Sequence, residues 1–499
     1  MNATLPATQV LPLYSADQLR ELDRLAIEQA GIPGYTLMTR AAQAAWSAIQ
    51  TRWPSVRSLV VLCGTGNNGG DGYVLARLAL ADGCQVRVLQ LGDVGRIRAD
   101  ALTARTDWIE ASGVVAEFDV ASLAPAELIV DALLGTGFER ALDARWVDAI
   151  HAVNDSTVPV VALDVPSGLA SDTGNMADVA VRAQLTVTFI GRKAGLYTGA
   201  GPDRAGEIVL ADLAVPAALL NQVEALAELQ GDADLQGLAT PRARGAHKGS
   251  FGHVLVIGGD HGMAGAVRLA GEAALRCGAG RVSVATRTGH AAAIMSGCPE
   301  LMCHGVENAR QLRPVLAQAS VIVIGPGLGQ SDWAAELLAA VLETTQPLVV
   351  DADALNLLAR EPANQRRWIL TPHPGEAARL LRQDTATIQS DRFAAAAAIN
   401  QQYGGVTVLK GAGSIVHAAA RRPMVCSAGN PGMATAGMGD VLSGVLGSLL
   451  AQGLAPGAAA RAGVCVHACA GDRAARDGER GLLARDAIAE LRNVMNATP

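Results

Sequence analysis

Short apolar runs alternate with amphipathic stretches twice along this chain, and most of the runs lead straight into glycine, aspartate or proline. The first series is Ser58 to Cys63, Gln85 to Leu91, Leu128 to Asp131, Val158 to Asp164 and Leu185 to Ile190. The second is His253 to Ile257, Val282 to Ala285, Val321 to Ile324, Leu348 to Asp351, Trp368 to Thr371 and Val406 to Leu409. Runs of this length separated by helical spacers predict strands of parallel sheets joined by right-handed crossovers, an α/β fold. Half of the 499 residues are apolar but only 3% are aromatic, so the cores must be built from Ala, Val and Leu, as in buried parallel sheets.

The length exceeds what one ordinary core organises. Between the two series, Asn221 to Gly249 changes from Ala, Glu, Leu and Gln to Arg, Gly, His and Lys, which places a boundary near Gly231 and two domains at 1–230 and 231–499. Ser15 and Gln18 predict a capping box opening a helix over Leu19, Leu22 and Leu25. Val441 to Ala460 is long and uncharged, yet it holds Pro456 and several glycines; a buried helix is expected there, not a membrane span. The formal charge of −7 offers no basic surface for nucleic acid. The eight cysteines lack CxxC pairs, and Cys465 and Cys469, on one helical face, are expected to be ordinary buried thiols. No basic segment followed by an apolar core stands near the N-terminus, so no secretory signal and a cytoplasmic protein are expected.

In open α/β sheets ligands gather at the carboxyl ends of the strands. Past the first run lies Gly64-Thr65-Gly66-Asn67-Asn68-Gly69-Gly70-Asp71-Gly72, where glycines let main-chain amides approach a phosphate at the start of a helix. It matches neither the dinucleotide fingerprint nor a P-loop, and its Asn and Asp oxygens are additional ligands. Asp131 with Gly135-Thr136-Gly137-Phe138, and Asp164-Val165-Pro166-Ser167-Gly168, end two further runs. Their hard oxygens could hold a cation such as potassium. In the second half, Gly437-Met438-Gly439-Asp440 opens the long apolar segment: its amides can form an anion hole and Asp440 can take a proton from an attacking hydroxyl, which suits phosphoryl transfer. Gly325 to Gly329, Asp351 to Asn356, Thr371 to Glu376 and Lys410 to Ser414 stand at other strand ends.

These motifs carry a resemblance over nearly the whole chain. Gly64 to Gly72, Asp131, Gly135 to Phe138 and Asp164 to Gly168 resemble the NAD(P)H-hydrate epimerase domain. Lys248 to His253, Gly258 to Asp260, Gly325 to Gly329, Thr371 to Glu376, Lys410 to Ser414 and Asn430 to Asp440 resemble the ADP-dependent NAD(P)H-hydrate dehydratase domain. The implied architecture is a Rossmann-like domain followed by a ribokinase-like one. The implied task is repair of NADHX and NADPHX, reduced nicotinamide cofactors hydrated at ring carbon 6: the first domain interconverts the R and S epimers, and the second dehydrates the S form using ADP. By carry-over, Asn67, Asn68, Gly69, Gly70, Asp71, Gly135, Thr136, Gly137, Phe138, Glu139, Arg140 and Ala141 would bind the hydrate. Asn68, Asp131 and Ser167 would hold potassium, and Asp164 would contact the substrate as acid/base. In the second domain Ala266, Gly327, His373 and Asp440 would meet the hydrate, with Asp440 as catalytic base. Lys410, Gly411, Ala412, Gly413, Ser414 and Gly439 would meet the nucleotide, with magnesium shielding its charge, while Asp353 and Glu376 stay unassigned. A homo-oligomer is expected from the family. The alternative is a ribokinase-like kinase of a small alcohol carrying a non-catalytic nucleotide-binding module at its N-terminus.

Overall fold

The computed structural model describes residues 11–123, 126–137, 142–176, 178–231, 234–235, 238–419 and 421–497. The chain divides into two compact units, Pro12–Ala227 and Glu228–Pro499, with Leu11 grouped with the latter.

The strands are β1 (Leu11–Tyr14), β2 (Ser58–Cys63), β3 (Gln85–Gln90), β4 (Val115–Glu117), β5 (Leu128–Ala132), β6 (Val160–Leu163), β7 (Leu185–Phe189), β8 (Arg192–Lys193) and β9 (Glu207–Ala211) in the N-terminal part. One sheet runs β4-β3-β2-β5-β6-β7-β9 with every pairing parallel. Strand order reverses on the two sides of β2, which opens the crevice in which ligands of doubly wound sheets bind. The helix Ala16–Glu28 begins with the expected capping box, Gln18 N–H donating to Ser15 Oγ (3.3 Å) and Ser15 N–H to Gln18 Oε1 (2.9 Å). Not foreseen from the apolar pattern are β1, β4, β8 and β9. β1 is short, but by pairing in parallel with β8, Tyr14 opposite Lys193, it holds Lys193 in place.

The C-terminal part adds β10 (Ala227–Leu229), β11 (His253–Ile257), β12 (Arg281–Thr286), β13 (Met302–Gly305), β14 (Val321–Ile324), β15 (Leu348–Val350), β16 (Trp368–Leu370), β17 (Val406–Leu409), β18 (Ser414–Ala418) and β19 (Met424–Cys426). Its order is β13-β12-β11-β14-β15-β16-β17-β18-β19-β10. The pairings are parallel as far as β17; β18 then returns antiparallel to both β17 and β19. The long apolar segment differs from expectation. It forms two helices, Met438–Ala451 and Pro456–Ala474, because Gly453 takes a left-handed turn (φ +95°) and Pro456 opens a new helix at its first position. The first of these helices is buried over most of its surface. Glycines let it approach its neighbours: a Cβ on Gly444 would stand 2.0 Å from the Ala270 carbonyl oxygen, and one on Gly447 2.5 Å from Val323 Cγ2. Among the described residues no helix is long and apolar enough to cross a membrane.

Candidate active sites

In the N-terminal unit the carboxyl ends of β2, β5, β6 and β7 converge on a cavity of about 770 Å³. Gly64 is obligatory there, since a Cβ would fall 1.8 Å from the Leu133 carbonyl oxygen where the ends of β2 and β5 meet. Of the expected hydrate-binding residues, Asn67, Asn68, Asp71, Gly135, Thr136 and Gly137 line the cavity, together with Asp164. Gly69 and Gly70 are buried beneath it: their Cβ atoms would strike the Gly64 carbonyl oxygen at 2.2 Å and Met38 Cε at 2.5 Å, so their glycine character serves packing. Phe138, Glu139, Arg140 and Ala141 lie outside the described residues.

Asp131 is fully buried and draws three groups around it. Ser167 N–H donates to Oδ2 at 2.8 Å, Ser167 Oγ donates to Oδ1 at 2.6 Å, and Leu133 N–H reaches Oδ1 at 3.2 Å. Burial pushes Asp131 up to about 6, with the bonds from Ser167 opposing it. Beside it, Asn68 Nδ2 donates to the Leu134 carbonyl at 2.8 Å. Among the described residues, Asn68 Oδ1 is buried with no hydrogen-bond partner. A buried carboxylate, a hydroxyl, a carbonyl and an orphaned amide oxygen form a donor set suited to a hard monovalent cation.

Asp164 follows β6 with a left-handed backbone (φ +66°), a strained conformation for a residue with a side chain. Lys193, 2% exposed, forms an ion pair with Asp164 Oδ1 and donates to the Phe189 carbonyl at 2.8 Å. Phe189 N–H approaches the same Oδ1 at 3.3 Å. Burial first, then the carboxylates of Asp164 and Asp23, push Asp71 well above the usual carboxylate range, with Lys193 pulling the other way. Sequence reasoning passed over Lys193 and Asp23. The signal for Lys193 was available, because it sits just past the run Leu185 to Ile190, where strand-end residues are worth reading.

In the C-terminal unit the helix Met438–Ala451 begins at Gly437, left-handed at φ +89°, so the amides of its first turn have no partners within the helix. Asp440 lies in that turn, half-buried. Burial, then the Asp351 carboxylate, push it up to about 7 against the pull of Lys410. Lys410 Nζ bonds Asp351 Oδ1 at 2.8 Å and stands 3.7 Å from Glu376 Oε2. Ser443 Oγ, one turn further along the same helix, donates to Asp351 Oδ2 at 2.8 Å. Burial opposes the charge on Lys410, yet Asp351 and Glu376 outweigh it and hold the ammonium charged. Gly439 lies against this pair, its Cβ direction 3.4 Å from Lys410 Nζ. Gly411 N–H and Ser414 Oγ close the turn after β17 at 3.3 Å. Arg392, 1% exposed, braces that turn by donating to the carbonyls of Leu409 (3.2 Å), Lys410 (3.3 Å) and Gly413 (3.4 Å).

His373 caps the helix Pro374–Leu381. Its Nδ1 accepts from Gly375 N–H at 3.0 Å and Glu376 N–H at 3.3 Å, which places the ring proton on Nε2, 3.4 Å from Glu376 Oε1. Burial lowers its basicity, and Lys410 adds to the effect. Gly327, left-handed at φ +55°, packs against Ala266, whose Cβ would stand 3.0 Å from a Cβ on Gly327. Asp353 accepts from Gly329 N–H at 2.9 Å and so ties the Gly325–Gly329 turn to the helix Ala352–Arg360. Besides Asp353 and Glu376, sequence reasoning left Asp351 and Arg392 of this site without a role.

Two family models match the chain: one described as YjeF-related protein N-terminus over residues 34–195, the other as NAD(P)H-hydrate dehydratase over residues 254–493. Among curated proteins the chain is 50% identical to the bifunctional NAD(P)H-hydrate repair enzyme of Coxiella burnetii, an alignment covering 97% of this chain and 99% of the relative. It is 43% identical to the enzyme of that name from Escherichia coli, covering 97% and 94%. Among solved structures, a ribokinase-like superfamily protein of Enterococcus faecalis superposes with a TM-score of 0.50 at 30% identity, covering 54% of this chain and 94% of that one.

Proposed function

The chain belongs to the bifunctional NAD(P)H-hydrate repair enzymes, an NAD(P)H-hydrate epimerase joined to an NAD(P)H-hydrate dehydratase, and from that premise we propose how its residues divide the work. The rival expectation of a small-alcohol kinase with a non-catalytic N-terminal module loses its ground against relatives that match 97% of the chain.

The N-terminal cavity binds the hydrated nicotinamide between Asn67, Asn68, Asp71, the Gly135–Gly137 turn and Asp164. Asp164 exchanges protons with the ring hydroxyl or with water, because inverting a hydrated carbon needs proton transfer and no nucleophilic side chain. Potassium is held by Asn68, Asp131 and Ser167; the orphaned Asn68 Oδ1 supports that assignment. Bound there, the cation compensates the buried Asp131 charge and stiffens the cavity wall.

In the C-terminal unit the S hydrate meets Ala266, Gly327, His373 and Asp440, and ADP meets Gly439 and the Lys410–Ser414 turn. Asp440 takes the proton of the ring hydroxyl as phosphate is transferred to it. Phosphate then leaves far more readily than hydroxide, restoring the double bond and leaving AMP and phosphate. The first-turn amides of the helix Met438–Ala451 stabilise the charge on the transferring group. Lys410 stays protonated between Asp351 and Glu376, a fixed cation beside the phosphates. Magnesium, carried with the nucleotide phosphates, supplies charge neutralisation. A cytoplasmic homo-oligomer acting on free dinucleotides completes the proposal; the net charge of −7 suits a soluble protein.

The observation that carries this reading is the convergence of Asp440, Lys410, Asp351 and Gly439 on one helix start. The test follows absorbance at the reduced-nicotinamide band after the chain is mixed with R and S hydrated NADH, magnesium and potassium, with and without ADP. Full recovery that requires ADP is the expected result. A halt once the S form is consumed would remove the epimerase assignment, and no recovery would remove both.

A further inference from the structure

The N-terminal cavity holds more proton-transfer chemistry than one aspartate accounts for. Lys193 commits Asp164 Oδ1, which also receives Phe189 N–H at 3.3 Å. Asp164 Oδ2 lies 3.8 Å from the Cβ direction of Gly135, on the cavity wall. Asp71 lines the same cavity from the helix Asn67–Ala81. The charged and titratable groups around it are Arg20 and Asp23 on the helix Ala16–Glu28, Cys63 at the end of β2, Arg96 and Asp100 beside the cavity, and Asp164 with Lys193 across it. Of the cations in this group, Lys193 is bonded to Asp164 and Arg20 to Asp17. Two carboxyl groups in one cavity therefore stand in unlike settings, one paired with a buried ammonium and one walled in by burial and by other carboxylates. Such a split marks an acid and a base.

We propose that Asp71 is a second proton-transferring residue of this cavity, working on the opposite face of the hydrated ring from Asp164, and that Lys193 is the positioning residue that makes Asp164 the base. The inference rests on the reading of this unit as the epimerase. Ring carbon 6 bears the hydroxyl next to the ring nitrogen. The Asp71 carboxylic acid gives its proton to that hydroxyl, the C–O bond breaks with its electron pair leaving on water, and the nitrogen lone pair closes a C=N bond. The carbon is now flat. A water adds from the other face, its proton goes to the Asp164 carboxylate, and the C=N electrons return to nitrogen. One water is lost and one gained, one proton has moved from Asp71 to Asp164, and nothing is oxidised or reduced. Turnover in the reverse direction restores the starting state, as does proton exchange with solvent through Asp23, exposed on the cavity lining.

The test uses the full chain with potassium and each separated hydrate, in water enriched in oxygen-18. Wild type should take label into the ring hydroxyl at least as fast as it interconverts the epimers, and interconversion should fall at high pH as Asp71 loses its proton. Asp71→Asn should slow interconversion and label uptake together by about 10²–10⁴-fold, with KM little changed and ADP-driven dehydration of the S form intact. Lys193→Met, which frees Asp164 of its ion pair, should lower kcat far more than it raises KM, with Lys193→Arg recovering part of the loss. Label uptake slower than interconversion in wild type would overturn the proposal without any variant. So would an Asp71→Asn chain that epimerises within about threefold of wild type or loses only affinity. No interconversion by wild type would instead overturn the epimerase reading beneath it.

Discussion

At the scale of single residues, the proposal puts the chemistry on carboxylates set among charged and buried neighbours. Asp164→Asn should slow epimerisation by about 10²–10⁴-fold while dehydration of the S form proceeds, and Asp440→Asn should do the converse. Equal loss of both activities in either variant would show the division of labour to be wrong. As the proposed base Asp440 would act only when ionised, and burial and the Asp351 carboxylate push it up to about 7, so kcat/KM for dehydration should climb with pH and level off above about 7. A profile flat from about pH 5 to 8 would remove Asp440 as the base. Asp164 was legible because it ends an apolar run, and Asp440 because it stands behind a glycine turn at the head of one. Lys193 and Asp351 were harder to assign: what matters about them is their partner, Asp164 29 residues away and Lys410 59 residues away, and a linear reading does not show partners.

At the scale of elements, glycine decides how closely backbones approach. Gly64→Ala would drive a methyl group to 1.8 Å from the Leu133 carbonyl oxygen, with no side chain free to yield. The expected cost is about 3 kcal/mol or more, seen as loss of epimerisation with dehydration retained. Gly444→Ala meets the Ala270 carbonyl at 2.0 Å and should force apart the helices Ala264–Arg276 and Met438–Ala451. We expect a penalty of about 1–3 kcal/mol, read as a lower melting temperature of the C-terminal unit, by about 2–4 °C per kcal/mol. An unchanged melting temperature would mean the helix pair relaxes freely. The parallel strands were readable because strands buried on both faces are continuous apolar runs. The short edge strands β4, β8 and β9 were not, since a strand of two to five residues with one open side carries no such run. The split of Val441 to Ala460 into two helices was signalled by Gly453 and Pro456, but uniform apolarity hid the break.

At the scale of the whole molecule, the chain has two compact units, and the proposal gives their two activities different ionic needs. Chelating magnesium with EDTA should abolish ADP-dependent dehydration and leave R/S interconversion running, whereas exchanging potassium for a bulky organic cation should slow interconversion and spare dehydration of pure S hydrate. Identical responses of both activities to either treatment would contradict the assigned sites. What the sequence determined by itself is the α/β class, the doubled strand–helix pattern and most strand-end motifs, because apolar periodicity and glycine or aspartate punctuation are local properties of the chain. Tertiary structure alone decided which of those motifs line a cavity and which serve packing. Gly69 and Gly70 turned out to sit under the wall of the cavity and Asp71 on its lining, within one helical turn of each other. It also placed Lys193 on Asp164 and left Asn68 Oδ1 without a partner beside Asp131. Those outcomes depend on burial and on distances between residues far apart in the chain, and electrostatic interaction energies are set by such distances, which sequence spacing does not encode.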